Sequence, residues 1–264
     1  MSVFKDDILA GKVAFVTGGG SGICKGIARA YMAHGAKVAI MGRKADRLEA
    51  AAEELAAATG SECLATPGDV RDPKSVERGL DATIARFGAP DVVVNGAAGN
   101  FLCPASQLSY NGMKTVMEID ALGTWHVCRA AFERALRDRG GSILNISATL
   151  HYAATPLQAH ASAAKAAVDS MTKSLALEWG PMGIRVNAIA PGPIDDTEGM
   201  TRLAPPDMKQ KLQAAVPLKR FGTVEDVASM ALFLASDGAS FVNGAIVVVD
   251  GGAWLPGMGA AFGL

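Results

Sequence analysis

A glycine-rich turn near the N-terminus carries the first residues whose spacing could do chemistry. In the stretch VAFVTGGGSGICKGIARAYMAHGAKVAIMGRK, an apolar run leads into Gly18, Gly20 and Gly22, and a helix-like segment and a second apolar run follow. Glycines at such a turn let the backbone approach a pyrophosphate, whose charge then lies at the N-terminus of the following helix. We therefore predict dinucleotide binding here rather than an ordinary strand-to-helix turn. In the pattern T-G-x-x-x-G-x-G, which is typical of such turns, the last glycine would stand where this chain has Cys24. The small thiol of Cys24 is expected to fit between helix and strand.

The residues after the second apolar run indicate which dinucleotide is bound. A carboxylate there would accept a hydrogen bond from a ribose 2′-hydroxyl, but this chain has Gly42 followed by Arg43 and Lys44. Two cations without a carboxylate suit a 2′-phosphate, so we expect NADPH. Asp69, in the motif GDV after the third apolar run, is a candidate for bonding the adenine amino group or, alternatively, for capping a helix.

These residues need a sheet to position them. Apolar runs rich in Val and Ile alternate with longer helix-like segments; the runs are KVAFVTG, KVAIMGR, ECLAT, DVVVNGA, GSILNIS, IRVNAIAPG and AIVVVDGG. Nearly continuous apolar strands separated by helices are typical of a parallel sheet that is covered on both faces. We therefore predict an α/β fold with a doubly wound, Rossmann-like parallel sheet. No linker, composition shift or internal repeat divides residues 1–264, so a single domain is expected.

One irregular segment lies where a ligand is expected. The stretch PGPIDDTEGMTRLAPPD, residues 191–207, follows the strand that ends near Ala190 and contains several prolines. Ligands of open parallel sheets lie beyond the carboxyl ends of the strands. We therefore predict a substrate lid over residues 191–215 of the same domain.

Composition excludes several classes of function. The chain of 264 residues has 25 basic and 26 acidic side chains, a net charge of −1 and no run of like charge, which argues against a nucleic-acid or membrane surface. A small-molecule partner is expected instead. The four cysteines lack the spacing of a metal site or a disulfide framework, so we predict no metal and a reducing compartment; they are Cys24, Cys63, Cys103 and Cys128. Because no signal-peptide pattern or membrane-spanning run is found, a soluble cytoplasmic protein is expected.

The motifs occur in the order of a known family. The glycine turn, GDV, VVVNGAAG, Lys165, LALEWGPMGIRVNAIAPGPI and VNGAIVVVDGG resemble the short-chain dehydrogenase/reductase family over almost the whole chain. The resemblance implies a homotetramer, packed through the helices around 121–137 and 163–179 and through the C-terminal strand. It also adds residues to the expected cofactor site, namely Ser21, Ile23, Val70, Ala97, Lys165, Pro191, Gly192 and Ile194.

The catalytic set of this family is Asn, Ser, Tyr and Lys, and the sequence keeps only the lysine. Asp120 stands where Asn is usual, and Ala148 and Ala161 stand where Ser and Tyr are usual, whereas Lys165 is retained. In the family the phenol passes a proton to or from the substrate oxygen, and such help contributes roughly 10² to 10⁴ in rate. Simple alcohol oxidation is therefore poorly supported. Asp120 and Lys165 face one another in the family geometry, and such an ion pair can polarise a water.

The altered set resembles that of one branch of the family, the 2,4-dienoyl-CoA reductases, and in particular the peroxisomal type. The resemblance rests on NGAAGNFLCPASQLS, KTVMEIDALGTW, LNISATL, HASAAKAAVDSMT, APGPIDDTEGM and VVVDGGAWL. It implies reduction of a 2,4-dienoyl-CoA by NADPH to a trans-3-enoyl-CoA, in the β-oxidation of unsaturated fatty acids. A water between Asp120 and Lys165 would protonate the α carbon. The chain ends AAFGL rather than in a peroxisomal S-K-L address, which fits the expected cytoplasmic location.

An acyl-CoA substrate requires cations for its phosphates and an apolar slot for its chain. Arg71 and Arg202 are the candidates for the phosphates, with Arg43 as a further contributor. Phe101 is the candidate for lining the slot, and Asn100 for donating to a substrate or backbone oxygen. Each of these could equally be an ordinary solvated or packed residue.

Two other functions stay open at this stage. The chain could reduce a carbonyl substrate with a replacement acid, for which Tyr152 and His160 are the candidates. It could also be a non-catalytic nucleotide-binding protein, in which Ala148 and Ala161 record lost chemistry.

Overall fold

The computed structural model describes residues 3–195, 197, 200 and 206–255, with only the backbone described at 206–208. Within these residues seven strands form one parallel sheet. The strands are β1 (Val13–Thr17), β2 (Lys37–Gly42), β3 (Cys63–Pro67), β4 (Val92–Asn95), β5 (Gly141–Ile146), β6 (Ile184–Pro191) and β7 (Ile246–Val249). Six of the seven apolar runs that predicted a strand contain the whole of one of them, and the run ECLAT covers all of β3 except its last residue, Pro67. The expected Rossmann-like α/β fold is confirmed.

The order of the strands across the sheet is β3-β2-β1-β4-β5-β6-β7. The chain therefore builds outward from β1 in one direction and then from β4 in the other. A crevice opens at the carboxyl edge where such an order reverses, and ligands of open parallel sheets bind there. The glycine turn follows β1 and the motif VVVNGAAG contains β4, so both border this crevice.

Helices cover both faces of the sheet. They are α1 (Gly22–Ala33), α2 (Ala45–Thr59), α3 (Pro73–Phe87), α4 (Tyr110–Val116), α5 (Gly123–Ala131), α6 (Ala159–Trp179), α7 (Pro206–Ala215) and α8 (Val224–Ala235). Short 3₁₀ turns lie at Thr149–His151, Gly180–Met182 and Asp237–Ala239, and π-helical turns at Met117–Leu122 and Phe132–Leu136. One core lies between the sheet and α1, α2 and α8, and a second between the sheet and α3, α5 and α6.

Alternation along the strands supplies the two cores. Val16 and Ile40 face the core under α1, whereas Phe15 and Met41, their neighbours in sequence, face the core under α3. Successive side chains of a strand point to opposite faces, so a strand that is apolar at every position is buried on both. This explains why continuous apolar runs, rather than alternating ones, marked the strands.

Two features are absent from the described part of the chain. None of its helices is long and apolar enough to cross a membrane. Within the same residues, no group of three or more His, Cys, Asp or Glu side chains is placed to hold a metal ion.

Candidate active site

A cavity of about 280 Å³ lies at the carboxyl edge of the sheet, where the strand order reverses. The structure brings eight of the predicted cofactor-binding residues together in its lining: Gly18, Gly20, Ser21, Arg43, Lys44, Asp69, Val70 and Ala97. These residues come from four separate loops of the chain. The sequence motifs therefore converge on one cavity.

The glycine turn has the backbone that phosphate binding requires. Gly18 and Gly22 both have positive φ, of 72° and 54°. A Cβ on Gly18 would lie 2.7 Å from the carbonyl oxygen of Gly96, so a side chain is excluded there by space as well. Ser21 precedes α1 and makes no side-chain hydrogen bond to the free amides of its first turn. Those amides are consequently available to an anion.

Cys24 occupies the position where the family pattern has a third glycine. Its thiol is 4 % exposed, and a Cβ built on Gly96 would lie 2.0 Å from Cys24 Sγ. The thiol therefore fits because the residue opposite it has no side chain. Burial raises the pKa of Cys24 to about 12, so this thiol packs rather than reacts.

Arg43 and Lys44 extend from the end of β2 at the rim of the cavity. Both side chains are exposed, and neither forms an ion pair with any residue that the structure describes. A cation without a protein partner is free to bind a phosphate. Arg43 and Lys44 are therefore placed to bind an anion at the rim of the cavity.

Asp69 and Arg71 were assigned to different ligands, yet the structure pairs them with each other. Arg71 Nε lies 3.0 Å from Asp69 Oδ2, and its Nη2 lies 2.6 Å from the same oxygen. The hydrogen bonds of Arg71 hold the pKa of the Asp69 carboxyl below its usual range. Arg71 also lines a neighbouring cavity of about 390 Å³, beside Asp72, Glu118 and His126. A phosphate bound there would have to compete with carboxylates for the guanidinium.

The remaining predicted cofactor residues do not line this cavity. Gly22 and Ile23 begin α1, and Pro191 ends β6. A Cβ on Gly192 would lie 2.4 Å from Cβ of Asp250, which explains a glycine at this position. Ile194 is buried and forms an isolated parallel bridge with Gly222.

Asp120 and Lys165 form a buried ion pair. Lys165 Nζ lies 3.0 Å from Asp120 Oδ2, and the two side chains are 10 % and 1 % exposed. The Asp120 carboxylate also accepts a hydrogen bond of 2.7 Å from the backbone amide of Gly99. Lys165 donates to the carbonyl oxygen of Ile146, at 3.0 Å. A buried ion pair persists only when such additional bonds satisfy its remaining donors and acceptors.

An irregular helix positions the aspartate. Asp120 lies in the π-helical turn Met117–Leu122, which joins α4 to α5. π-helical turns are rare and occur frequently at functional sites, because the wider turn redirects the side chains on it. Thr124 Oγ1 bonds the carbonyl oxygen of Asp120 at 2.6 Å and so satisfies a backbone acceptor inside the turn.

Ala148 and Ala161 leave the site without the hydroxyls of the family. Ala148 follows β5, and Ala161 lies fully buried in the first turn of α6. Ser147, next to the first alanine, does not take over, because its hydroxyl donates to Asp169. Of the four positions that carry the catalytic set in the family, only those of Asp120 and Lys165 hold polar side chains here.

Sequence reasoning missed a second buried carboxylate. Asp169 lies one turn after Lys165 on α6 and accepts hydrogen bonds from Ser147, His151 and Tyr152. Burial and the nearby Asp169 raise the pKa of the Tyr152 phenol well above its usual value. The hydroxyl of Tyr152, considered above as a replacement acid, thus points to Asp169. In the sequence, the only signal of Asp169 was that it follows Lys165 by four residues, which places both on one face of a helix.

Of the predicted substrate residues, Asn100 and Phe101 lie next to each other in the loop after β4. Phe101 is 40 % exposed beyond the end of β4, and the amide nitrogen of Asn100 donates to Gln158 Oε1 at 2.7 Å. Arg202 lies outside the described residues, as does part of the predicted lid at 191–215. The described part of that lid includes α7.

Comparison with known proteins places this site in a family. A family model described as Enoyl-(Acyl carrier protein) reductase matches residues 18–253. The peroxisomal 2,4-dienoyl-CoA reductase of Rattus norvegicus, described as (3E)-enoyl-CoA-producing, is 50 % identical over 254 residues, which are 96 % of this chain and 87 % of the relative. The protein of the same name from Arabidopsis thaliana is 48 % identical over 263 residues, covering 96 % of this chain and 88 % of the relative.

Solved structures give the same placement. A short chain dehydrogenase from Bacillus anthracis superposes with a TM-score of 0.85 at 40 % sequence identity, covering 94 % of this chain and 98 % of the other. A short-chain type dehydrogenase/reductase from Mycobacterium marinum superposes with a TM-score of 0.87 at 30 % identity, covering 97 % of this chain and all of the other.

Proposed function

The chain belongs to the short-chain dehydrogenase/reductase family of oxidoreductases, and from this premise we propose that it reduces a 2,4-dienoyl-CoA to a (3E)-enoyl-CoA with NADPH. The observation that carries the proposal is the buried pair of Asp120 and Lys165 beside two alanines. This set lacks the acid that a ketone or alcohol requires. It retains charges that can hold a water for a different proton transfer.

The residues of the crevice fit NADPH. The first turn of α1 offers amides to the pyrophosphate, Gly18 leaves space for its approach, and Arg43 has no ion-pair partner in the described chain. NADPH, when bound, supplies the hydride that adds to the δ carbon of the dienoyl group. We assign NADPH over NADH to Arg43 and Lys44, since only NADPH carries a phosphate for them.

The proposed role of Asp120 and Lys165 is to deliver a proton to the α carbon of the substrate. Hydride addition at the δ carbon moves the double bond to the β,γ position and leaves negative charge on the thioester oxygen as a dienolate. The α carbon then takes a proton from a water held between the two side chains. Lys165 polarises this water and Asp120 orients it, so the hydroxide that forms is stabilised by the ammonium. Asp120 stays in place because Gly99 holds its other oxygen.

The substrate contacts are proposed on chemical grounds. The exposed ring of Phe101 is suited to line the acyl slot, and Asn100 to donate to a substrate oxygen. Arg71 is the described candidate for the CoA phosphates, although it would bind them while paired with Asp69. Arg202 remains a candidate from the sequence alone.

We also propose a homotetramer and a cytoplasmic location. Leu122, Trp125 and Leu177 are exposed on the two helical segments expected to pack between subunits, which supports association. The relatives named above are peroxisomal by name. Fractionation of the source cells decides the location of this chain.

A substrate panel tests the proposed function. NADPH oxidation is followed with a 2,4-dienoyl-CoA, a 2-enoyl-CoA and a set of ketones. We expect oxidation with the dienoyl-CoA alone, and a (3E)-enoyl-CoA as its product. Turnover of ketones would favour a carbonyl reductase instead, and NADPH binding without turnover of any substrate would favour a non-catalytic protein.

A further inference from the structure

His160 differs from the other three histidines of the chain in its bonding. The rings of His34 and His126 each contact a backbone carbonyl oxygen, and the ring of His151 contacts Asp169. His160 is 0 % exposed, and neither of its ring nitrogens has a hydrogen-bond partner among the residues that the structure describes. Burying a polar group without a partner is costly. Packing alone does not explain an imidazole at this position.

Phe101 covers this imidazole. The two ring centroids lie 4.2 Å apart, and the ring planes are inclined by 28°. Phe101 is the outer ring, because it is exposed while His160 is enclosed. A Cβ on Gly112 would lie 3.2 Å from Phe101 Cζ, so the phenyl ring also packs closely on α4. The stacked rings therefore join the loop after β4 to the first turn of α6, at the proposed acyl slot.

A second unused polar atom belongs to the same cluster. Asn100 Oδ1 is buried and has no partner in the described part of the chain, although its amide nitrogen donates to Gln158. Asn100 precedes Phe101, and Gln158 lies two residues before His160. An acceptor, Asn100 Oδ1, and the ring nitrogens of His160 thus remain unpaired, within the described residues, on the two segments that the stack joins. Such a cluster marks a place where a group from outside the chain can bind.

The reaction supplies an acceptor for the ring N–H of His160. A dienolate concentrates charge on the thioester oxygen, and hydrogen-bond donors aimed at that oxygen stabilise it. The two hydroxyl-bearing positions of the family are Ala148 and Ala161 here. His160 and Ser162 both flank Ala161, but the hydroxyl of Ser162 donates to the carbonyl oxygen of Leu150. Among the described residues, the ring N–H of His160 is therefore the unpaired side-chain donor next to the missing phenol.

We propose that His160 donates a hydrogen bond from its ring N–H to the thioester carbonyl oxygen of the bound acyl-CoA. This inference rests on the proposed function and adds a residue to it. Phe101 covers the imidazole in the free chain, and entry of the thioester displaces the phenyl ring. No covalent bond to His160 forms or breaks. Because the hydrogen bond strengthens as charge develops on the oxygen, its effect falls mainly on kcat.

Three variants of His160 test this contact by steady-state kinetics with NADPH and 2,4-decadienoyl-CoA. His160→Phe keeps a stacking ring and His160→Leu keeps an apolar side chain, but both remove the ring nitrogens. We expect each to lower kcat by about 10², the effect of losing one donor to a developing oxyanion. His160→Gln keeps an N–H donor and should stay within about tenfold of the wild type. The dissociation constant of NADPH should be unchanged in all three.

Thermal stability separates this role from packing. His160→Phe and His160→Leu remove a buried polar group that has no partner, so at least one should keep or raise the melting temperature, by about 2–4 °C. His34→Leu is the matched control, because His34 is buried but hydrogen-bonded to the carbonyl oxygen of Ala30. That variant should lower the melting temperature and leave kcat at the wild-type value.

Turnover within twofold of the wild type in a folded His160→Phe or His160→Leu protein would overturn the inference. A fall in kcat that accompanies an equal fall in NADPH affinity and in melting temperature would do the same, since it would indicate a structural role. A wild-type chain that binds the dienoyl-CoA without reducing it would overturn the proposed function. Because this inference rests on the proposed function, that result would overturn it as well.

Discussion

The crevice has a dinucleotide side, which includes Arg43 and Lys44, and a reaction side, which includes Asp120 and Lys165. Charged side chains are exposed on the first side and buried on the second. At the end of β2, Arg43 and Lys44 stand in solvent and have no ion-pair partner among the described residues. Beside β5, Asp120 and Lys165 are buried against each other, with backbone groups on the remaining sides. Exposed cations can exchange water for the phosphate of a diffusing ligand. A buried pair instead holds its charges in a fixed arrangement, which suits a water that must deliver a proton in one direction.

The two sides also differ in how they depart from the family pattern. On the dinucleotide side Cys24 replaces a glycine, and the bare backbone of Gly96 opposite accommodates the thiol, so the function of the turn is kept. On the reaction side three of four catalytic positions differ, at Asp120, Ala148 and Ala161. The hydroxyls next to the two alanines do not replace those that are missing, since Ser147 donates to Asp169 and Ser162 donates to the carbonyl oxygen of Leu150. The first departure preserves a function by packing, whereas the second changes the chemistry.

The largest effect is expected from breaking the buried pair. Lys165→Met keeps an unbranched side chain but leaves the Asp120 carboxylate buried with only the amide of Gly99 as a partner. We expect the free energy of unfolding to fall by about 3–5 kcal/mol, measured by urea denaturation. Lys74→Met is the control, because Lys74 pairs with Glu77 on the exposed surface of α3 and should change stability little. Equal effects of the two substitutions would contradict the burial of the pair formed by Asp120 and Lys165.

Restoring the hydroxyls of the family probes the reaction side alone. Ala148→Ser with Ala161→Tyr rebuilds the usual proton-transfer set, but Ala161 is buried, so the new phenol must enter space proposed for the thioester and its water. We expect reduction of a dienoyl-CoA to fall by about tenfold or more, measured as kcat/KM. NADPH affinity serves as the control and should not change. Faster reduction by the double variant would mean that the alanines mark a decayed alcohol dehydrogenase.

The predictability of the two sides differs for a physical reason. The strands and the glycine turn are local features, in which runs of Val and Ile and the conformational demands of Gly18 act within a few residues. The pairing of Asp120 with Lys165 could be predicted because the family geometry brings those positions together. The stack of Phe101 on His160 could not be, since it depends on how two loops pack across the crevice.

Residues with two possible partners were also beyond prediction. Asp69 and Arg71 were each assigned to a ligand from the sequence, but side chains two residues apart in a turn can bond each other first. Apart from its spacing from Lys165, Asp169 gave no signal in the sequence, because its three donors come from a loop whose path the sequence does not specify. Contacts of this kind require the tertiary structure.

A smaller effect is expected on the dinucleotide side. The wild type should bind NADPH at least about tenfold more tightly than NADH, because Arg43 forms charge-assisted bonds to the 2′-phosphate. Arg43→Ala should remove most of this preference while leaving NADH affinity unchanged. Isothermal titration at physiological salt measures both, with Lys5→Ala as a control for the loss of a surface charge. Equal affinities of the wild type for the two dinucleotides would contradict the assignment.

The catalytic role of Asp120 is tested most directly by the turnover of Asp120→Asn on a 2,4-dienoyl-CoA. The amide has nearly the volume of the carboxylate and can still accept a hydrogen bond from Gly99, so the fold should persist. We predict that kcat falls by roughly 10² or more, a barrier change of about 2.7 kcal/mol, while NADPH affinity stays near that of the wild type. The wild type should also show a solvent isotope effect on kcat. A folded Asp120→Asn protein with near-normal kcat would contradict the account, because the proton would then have to reach the α carbon by another route.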